Sequence, residues 1–279
     1  MKFRIKITRH AFGYAVFAMA ALFVFLYVRF PGDMFARHLA AIATDLNPDA
    51  MVLIDSVKPA IPPGINFKNV KLGFRDNPAA TIYVDTFTLK PAWLSLFKGQ
   101  TTFVLTAKTY GGSVEAQAAT KQFLAADGPI DGKLNLDGID IASIGYLRER
   151  LGRQISGNLK GTMTFSGTIL SPASGVSTFE FTLVDGSYRF QESIMGMDRL
   201  EFKKVEASIG MKNGVLTVNR LKLAGDKING TLSGNIVLNG TDIKSSLLSL
   251  NFAFELPGQN KKLSLVMTGT LANPLIKYT

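Results

Sequence analysis

The chain has 279 residues, no cysteine and a formal charge of +10, which excludes disulfides, thiolate metal sites and cysteine nucleophiles. Nearly half of it (47%) is hydrophobic, too much for a disordered body, and the length suits one large domain or two small ones. Its basic residues lie singly along alternating segments, and the one tryptophan offers no stacking platform. Nucleic acid is therefore not an expected partner, and the charge reads as solubility plus attraction to anionic headgroups.

Residues 11–30 form the first element. Ala11 to Val28 carries neither charge nor proline. About 18 helical residues rise about 27 Å, against a bilayer core of about 30 Å, and Tyr27 and Phe30 extend the stretch into the interface. Lys2, Arg4, Lys6 and Arg9 flank it on one side, and Arg29 alone on the other. The positive-inside rule then leaves residues 1–10 in the cytoplasm and sends the rest across the inner membrane, into the periplasm of a Gram-negative envelope. A cleaved signal peptide is a second reading, since Ala18-Met19-Ala20 resembles a cleavage site. Its apolar region would span only about 7–15 residues, whereas here apolar residues run on through Leu26. A buried core helix is the third reading. Length favours an uncleaved anchor.

Residues 31–50 hold a juxtamembrane helix, about Asp33 to Leu46, and a linker. Phe35, Leu39, Ile42 and Leu46 fall on one helical face, Pro31 precedes it and Asn47-Pro48 ends it. The low charge favours docking of that face on the body over burial in the membrane surface.

From Met51 the period of the pattern changes to two, and residues 51–279 read as a β-rich domain with a candidate sub-boundary near 119–128. Expected strands are Met51–Val57, Ile65–Phe74, Thr81–Lys90, Thr101–Thr109, Ser113–Ala118 and Ile130–Leu136, separated by prolines and, at Gly111-Gly112, by a tight turn. Pro91 to Phe97 reads as a helical turn. Ile141, Ile144, Leu147 and Leu151 share one face of a helix that Asp140 caps; Arg148, Glu149 and Arg150 at its end read as a solvated face. Beyond Ile155, alternation marks strands with one dry and one wet side, with turns at Asn213-Gly214, Asn229-Gly230 and Asn239-Gly240. The fold class is mainly β: a single N-terminal transmembrane helix, then a long antiparallel meander with two or three short helices. The apolar side is covered either by folding into a sandwich or roll, or by curling into a groove for acyl chains.

Catalytic chemistry is missing from the pattern. The only histidines are His10 and His38, both before the β body, and neither a phosphate loop nor a nucleophile elbow occurs. The expectation is a non-enzyme without cofactor or metal.

Three blocks carry a resemblance. Lys90 to Gln117 reads as a strand, a leucine-rich turn closed by Lys98-Gly99, a strand, a Gly-Gly turn and a further strand. Ile139 to Gly167 is a helix followed by a strand, and Leu265 to Tyr278 is a Gly-Thr-Leu-x-Asn-Pro ending. These resemble the AsmA-like envelope proteins. With the short length, the single anchor and the segment Phe30 to Leu39, the chain is most similar to the type II secretion system protein N family, in the form with an AsmA-like body. That resemblance implies a bitopic inner-membrane protein, an accessory or scaffold among other type II secretion components that export folded proteins, with no catalytic residues to carry over. The wider AsmA-like group implies instead a β trough that shelters phospholipid or acyl chains for lipid transport or outer-membrane maintenance. In that alternative Phe165, Phe179, Phe181, Leu183, Leu250, Phe252 and Phe254 line the groove; otherwise they are ordinary core.

Overall fold

A computed structural model describes residues 9–46, 48–61, 63–75, 77, 80–96, 101–120, 128–151, 154–168, 174–194, 197–239, 242–255 and 262–278. Two helices come first, α1 (Arg9–Val28) and α2 (Gly32–Leu46). The strands β1 (Ala50–Ala60), β2 (Gly64–Phe74) and β3 (Ile82–Pro91) follow, then the short α3 (Trp93–Leu96). After β4 (Thr101–Thr109), β5 (Gly112–Thr120) and β6 (Ile130–Asp140) comes α4 (Gly145–Leu151). The remainder is β7 (Ile155–Gly167), β8 (Val176–Ile194), β9 (Met197–Lys212), β10 (Val215–Ala224), β11 (Asn229–Val237), β12 (Leu247–Glu255), β13 (Lys262–Thr270) and β14 (Pro274–Tyr278).

All fourteen strands join one antiparallel sheet whose spatial order is the chain order. Each strand pairs with its sequence neighbours because each connection is short and the two-residue period never breaks for long. β5 and β6 pair from Ser113↔Asp137 to Thr120↔Ile130, so the sheet runs on across the candidate sub-boundary. β1 continues through Pro59 to Ala60, beyond the expected end at Val57. An edge strand tolerates proline because one row of its backbone groups has no ladder to complete.

Turn chemistry explains most of the hairpins. Asn213 and Gly214 are both left-handed (φ 50° and 74°), and Lys212 pairs with Val215, the geometry of a type I′ turn. The expected Gly111-Gly112 turn sits one residue earlier, on Tyr110 and Gly111 (φ 48° and 77°). Gly112 instead opens β5, where a Cβ would meet the Asp137 carbonyl oxygen at 2.5 Å. Asn229-Gly230 is not a turn either. These residues begin β11 opposite Glu255 and Phe254, and the Asn229 side chain reaches back to accept the Gly225 N–H. Of the Asn239-Gly240 pair, Gly240 lies outside the described residues.

The helix expected over Ile141 to Leu151 is broken in two. Asp140 accepts the Ala142 N–H and holds Ile141–Ser143 as a 3-10 turn; Ile144 is extended, and α4 starts only at Gly145. The docking face of α2 also differs from the expectation. Gly32, Ala36, Leu39, Ala40, Ala43 and Thr44 are half-buried, while Phe35 and Ile42 are 40% and 41% exposed. Small residues allow close approach: a Cβ on Gly32 would lie 2.3 Å from the Val57 carbonyl oxygen of β1. The helix thus shields this edge of the sheet.

Among the described residues no helix is long and apolar enough to cross a membrane. α1 runs unbroken from Arg9 to Val28, and Tyr14, Val16, Phe17, Met19, Leu22, Val24, Phe25 and Val28 are exposed. Of the basic flank, Lys2, Arg4 and Lys6 lie outside the described residues, and Arg9 opens α1.

Among the described residues no second layer covers the sheet. The accessible surface is 19,092 Å², where a compact chain of this 30.3 kDa mass exposes about 11,800 Å². Yet Val218, Leu248 and Leu250 form a buried cluster within the sheet itself. Side chains on one face of a single layer shelter one another this way only if the layer curls toward that face. A second cluster gathers Leu183, Phe202 and Val205 around Ile141, with Ile144 and Leu147 packed against it. There the short helical segment lies over the inner face at one end. Tyr146 of α4 also reaches Phe74 of β2 at 5.4 Å between ring centroids. β2 and β6 are four strand spacings apart, about 19 Å along the sheet, and α4, reached through the 3-10 turn after β6, lies back toward β2.

One glycine position tests this geometry. Gly234 has φ 134°, and a Cβ there would sit 2.2 Å from the Ser249 carbonyl oxygen, whereas a Cβ on Gly73 meets nothing nearer than 3.9 Å. Gly234→Ala is expected to cost more than about 2 kcal/mol and Gly73→Ala less than about 0.5 kcal/mol, read from urea unfolding of the detergent-solubilised protein by circular dichroism.

Candidate apolar trough

Directly paired residues in an antiparallel sheet project to the same side, so the register traces each face strand by strand. One row runs Pro59, Ile65, Leu89, Leu105, Ala116, Leu134, Met163, Phe179, Ile209, Val218, Gly234, Leu250, Met267, Ile276. It takes one residue from each of the fourteen strands, and none is polar. The adjacent row runs Val57, Phe67, Phe87, Ala107, Val114, Leu136, Gly161, Phe181, Ala207, Leu221, Leu232, Phe252, Leu265, Tyr278. It too crosses the whole sheet, and its only polar atom is the Tyr278 hydroxyl at the margin. At about 4.8 Å per strand these rows extend about 62 Å along the curve.

The opposite face is the reverse. Lys58, Asn66, Thr88, Thr106, Glu115, Asn135, Thr162, Glu180, Ser208 and Arg220 are paired in one row across ten strands. Charge pairs lie on this side, with Lys160 Nζ 2.9 Å from Asp137 and Lys204 Nζ 2.6 Å from Glu206. The Lys204 ammonium holds the Glu206 carboxyl below its ordinary pKa.

The seven residues expected to line a groove all lie on the apolar face. Phe179 and Leu250 stand in the first row, Phe181 and Phe252 in the second. Phe165 is opposite Gly132 and Ser177, Leu183 opposite Leu159 and Val205, and Phe254 opposite Gly230 and Leu263. Rings interlock along the strands: Phe179 and Phe181 lie 5.1 Å apart, Phe252 and Phe254 6.0 Å. Small residues make room between them. A Cβ on Gly161 would touch the Phe181 Cβ at 3.0 Å and the Phe179 ring at 3.2 Å. Leu183 and Leu250 are buried, while Phe165, Phe179, Phe181, Phe252 and Phe254 keep part of their surface accessible.

The apolar face is longer than those residues suggest, because β1 to β5 contribute to both rows. Phe67 and Phe87 stack at 4.6 Å in the N-terminal half. The signal there is blurred by runs such as Phe103-Val104-Leu105, in which apolar residues occupy both faces. Phe202 was also missed. Plain alternation puts it with Lys204 and Glu206 on the wet face, but Asp185, facing this stretch from β8, is left-handed (φ 50°) and the phase slips there. Phe202 is buried beside Leu183 and Val205.

Among the described residues no group of three or more His, Cys, Asp or Glu side chains is placed to hold a metal ion. What the site offers chemically is a dry, extended, uncharged surface. No family model, no curated protein and no solved structure matches the chain.

Two neighbours in β12 separate the faces. Leu250 is 7% exposed on the apolar side and Ser249 is exposed on the other. Leu250→Asp is expected to cost about 3 kcal/mol by burying an unpaired carboxylate, and Ser249→Asp less than about 0.5 kcal/mol, measured as the shift in urea midpoint at pH 7.

Proposed function

We propose that this protein is a non-enzymatic, membrane-anchored lipid-binding protein of the bacterial envelope, whose trough shelters the acyl chains of phospholipid on the periplasmic side of the inner membrane. The observation that carries the reading is the pair of apolar rows crossing all fourteen strands with no second layer over them. A soluble monomer rarely leaves so large a contiguous apolar surface open unless something occupies it. Extended hydrocarbon suits a long, narrow, uncharged channel, and a groove open along its length leaves a polar headgroup in water.

Anchoring fits the same picture. Ala11 to Val28 is uncharged, and the described apolar side chains of α1 are exposed. The unused apolar face of α2 is exposed as well, with Phe35 stacked on Phe30 at 5.0 Å just beyond α1. A membrane surface is a suitable partner for both.

A second reading, an accessory or scaffold role in type II secretion, is favoured by the resemblance to that system's protein N family and by the β14 edge. All five residues of β14 are exposed, Leu275 by 60% and Ile276 by 52%. An uncovered apolar edge invites a partner strand, and here it contrasts with β1, which α2 shields.

Photo-crosslinking residues at Leu134 and Phe252, introduced in living cells, distinguish the two. The lipid reading expects phospholipid adducts at both positions, and loss of the protein weakens the outer-membrane barrier. Adducts confined to the chain itself, with impaired export of folded proteins and an intact barrier, contradict the lipid reading and support the scaffold.

A further inference from the structure

A cavity of about 330 Å³ lies where the chain leaves α4 and enters β7, lined in part by Arg148, Arg189, Arg199, Ser156 and Ser187. Three guanidinium groups share it. Arg189 of β8 and Arg199 of β9 are register partners, so two like charges stand directly opposite each other, an arrangement that destabilises a sheet unless something neutralises it. Neither has an ion-pair partner among the described residues. Among the described residues the one ion-pair contact of Arg148 is the glancing approach of its Nε to Glu149, at 3.8 Å. The other acids close in sequence or register are Glu201 opposite Ser187, Asp198 beside Arg199 and Asp140 beside Ile141; none of these acids lines the cavity.

The backbone makes this a formed notch. The Arg189 N–H donates to the Gln154 carbonyl at 3.1 Å, which fixes the end of β8 against the start of β7. The Ser156 and Ser187 hydroxyl oxygens lie 3.0 Å apart, and Ser156 Oγ also accepts the Ser187 N–H. On its other side the cavity touches Ile141 and Ile155, which belong to the apolar cluster at the α4 end of the trough. The notch is thus cationic at its mouth and hydrocarbon at its back.

We propose that this notch binds a phosphate group, and that its source is the headgroup phosphate of an anionic phospholipid whose chains lie in the trough. Guanidinium groups match phosphate oxygens through paired N–H donors, and the serine hydroxyls add neutral donors. The volume admits a headgroup; the register sets Arg189, Arg199, Ser156 and Ser187 on the polar face, so the chains of such a lipid pass Ile155 and Ile141 around the end of the sheet to reach the trough. The lipid source rests on the trough reading; the phosphate site does not.

The test purifies the full-length protein from cells in mild detergent and measures co-purifying lipid by mass spectrometry, alongside titration of inorganic phosphate followed by phosphorus NMR. The variant is Arg148→Gln/Arg189→Gln/Arg199→Gln, at three exposed positions, with circular dichroism confirming that it folds. The expected result is unchanged total lipid but a loss of about tenfold in the ratio of phosphatidylglycerol and cardiolipin to phosphatidylethanolamine. Unchanged total lipid with an unchanged ratio, and no phosphate binding that the substitutions abolish, overturns the notch while leaving the trough intact. No lipid in either protein, with phosphate bound by the wild type and not by the variant, establishes the notch as a site for free phosphate and overturns the lipid source. No lipid and no phosphate in the wild type overturns the whole proposal.

Discussion

An apolar β face has to be kept from water, and most domains do so by laying a second sheet or a row of helices over it. Here fourteen strands follow one another in chain order, and among the described residues the helices near the sheet cover little of the apolar side: α4 over one end, α3 beside β4, α2 along the β1 edge. The sheet meets the constraint by curling, so that neighbouring rows of side chains shelter one another. That solution is incomplete by construction. Val218, Leu248 and Leu250 on β10 and β12 are buried, while other inward residues such as Leu105, Leu134, Leu232 and Phe252 keep accessible surface. The lipid-binding reading depends on that residual apolar surface.

The curl has identifiable local causes. Gly138 (φ 73°) accompanies the register shift between Leu136 and Ile139 in β6, and Gly157 (φ 138°) the one between Ser156 and Asn158 in β7. Such bulges tighten the twist of a strand and bend it. β10 slips between Val218 and Leu221. Left-handed Asn69 and Asp185 act within otherwise continuous ladders. Asn69 donates to the Asp55 carboxylate of β1 at 3.0 Å, and there the inward phase of β1 passes from Ile54 to Val57. The apolar rows survive these slips because paired strands change phase together.

Much of this was legible in the residues. Alternation located five of the first six strands to within three residues at either end, and the seven groove residues fall on one face because period-two phase is a direct statement about sides. What alternation could not carry was anything depending on backbone handedness within a strand. Nothing marks Asp185 as left-handed until its neighbours are known, so plain alternation does not place Phe202 on the apolar face. Asn229-Gly230 has the composition of a turn and serves as a strand start, because close approach of the Phe254 ring also selects glycine. The α2 face was misassigned for a related reason. Large apolar residues usually mark the docking side, but against the backbone of an edge strand small ones win, which leaves Phe35 and Ile42 outward. The arginine notch was illegible, since Arg148, Arg189 and Arg199 meet only through the β7–β8–β9 register.

The central claim is that the apolar face is open to a ligand, and the absence of native cysteines makes it directly measurable. Single cysteines at Leu105, Leu134, Leu232 and Phe252, with Ser249 as the outward control, are exposed to an apolar maleimide in the folded, delipidated protein. An open trough predicts labelling at all four inward positions, slowed when phospholipid is added back, with Ser249 indifferent to lipid. Labelling of the inward positions only after denaturation would show a closed core and contradict the account.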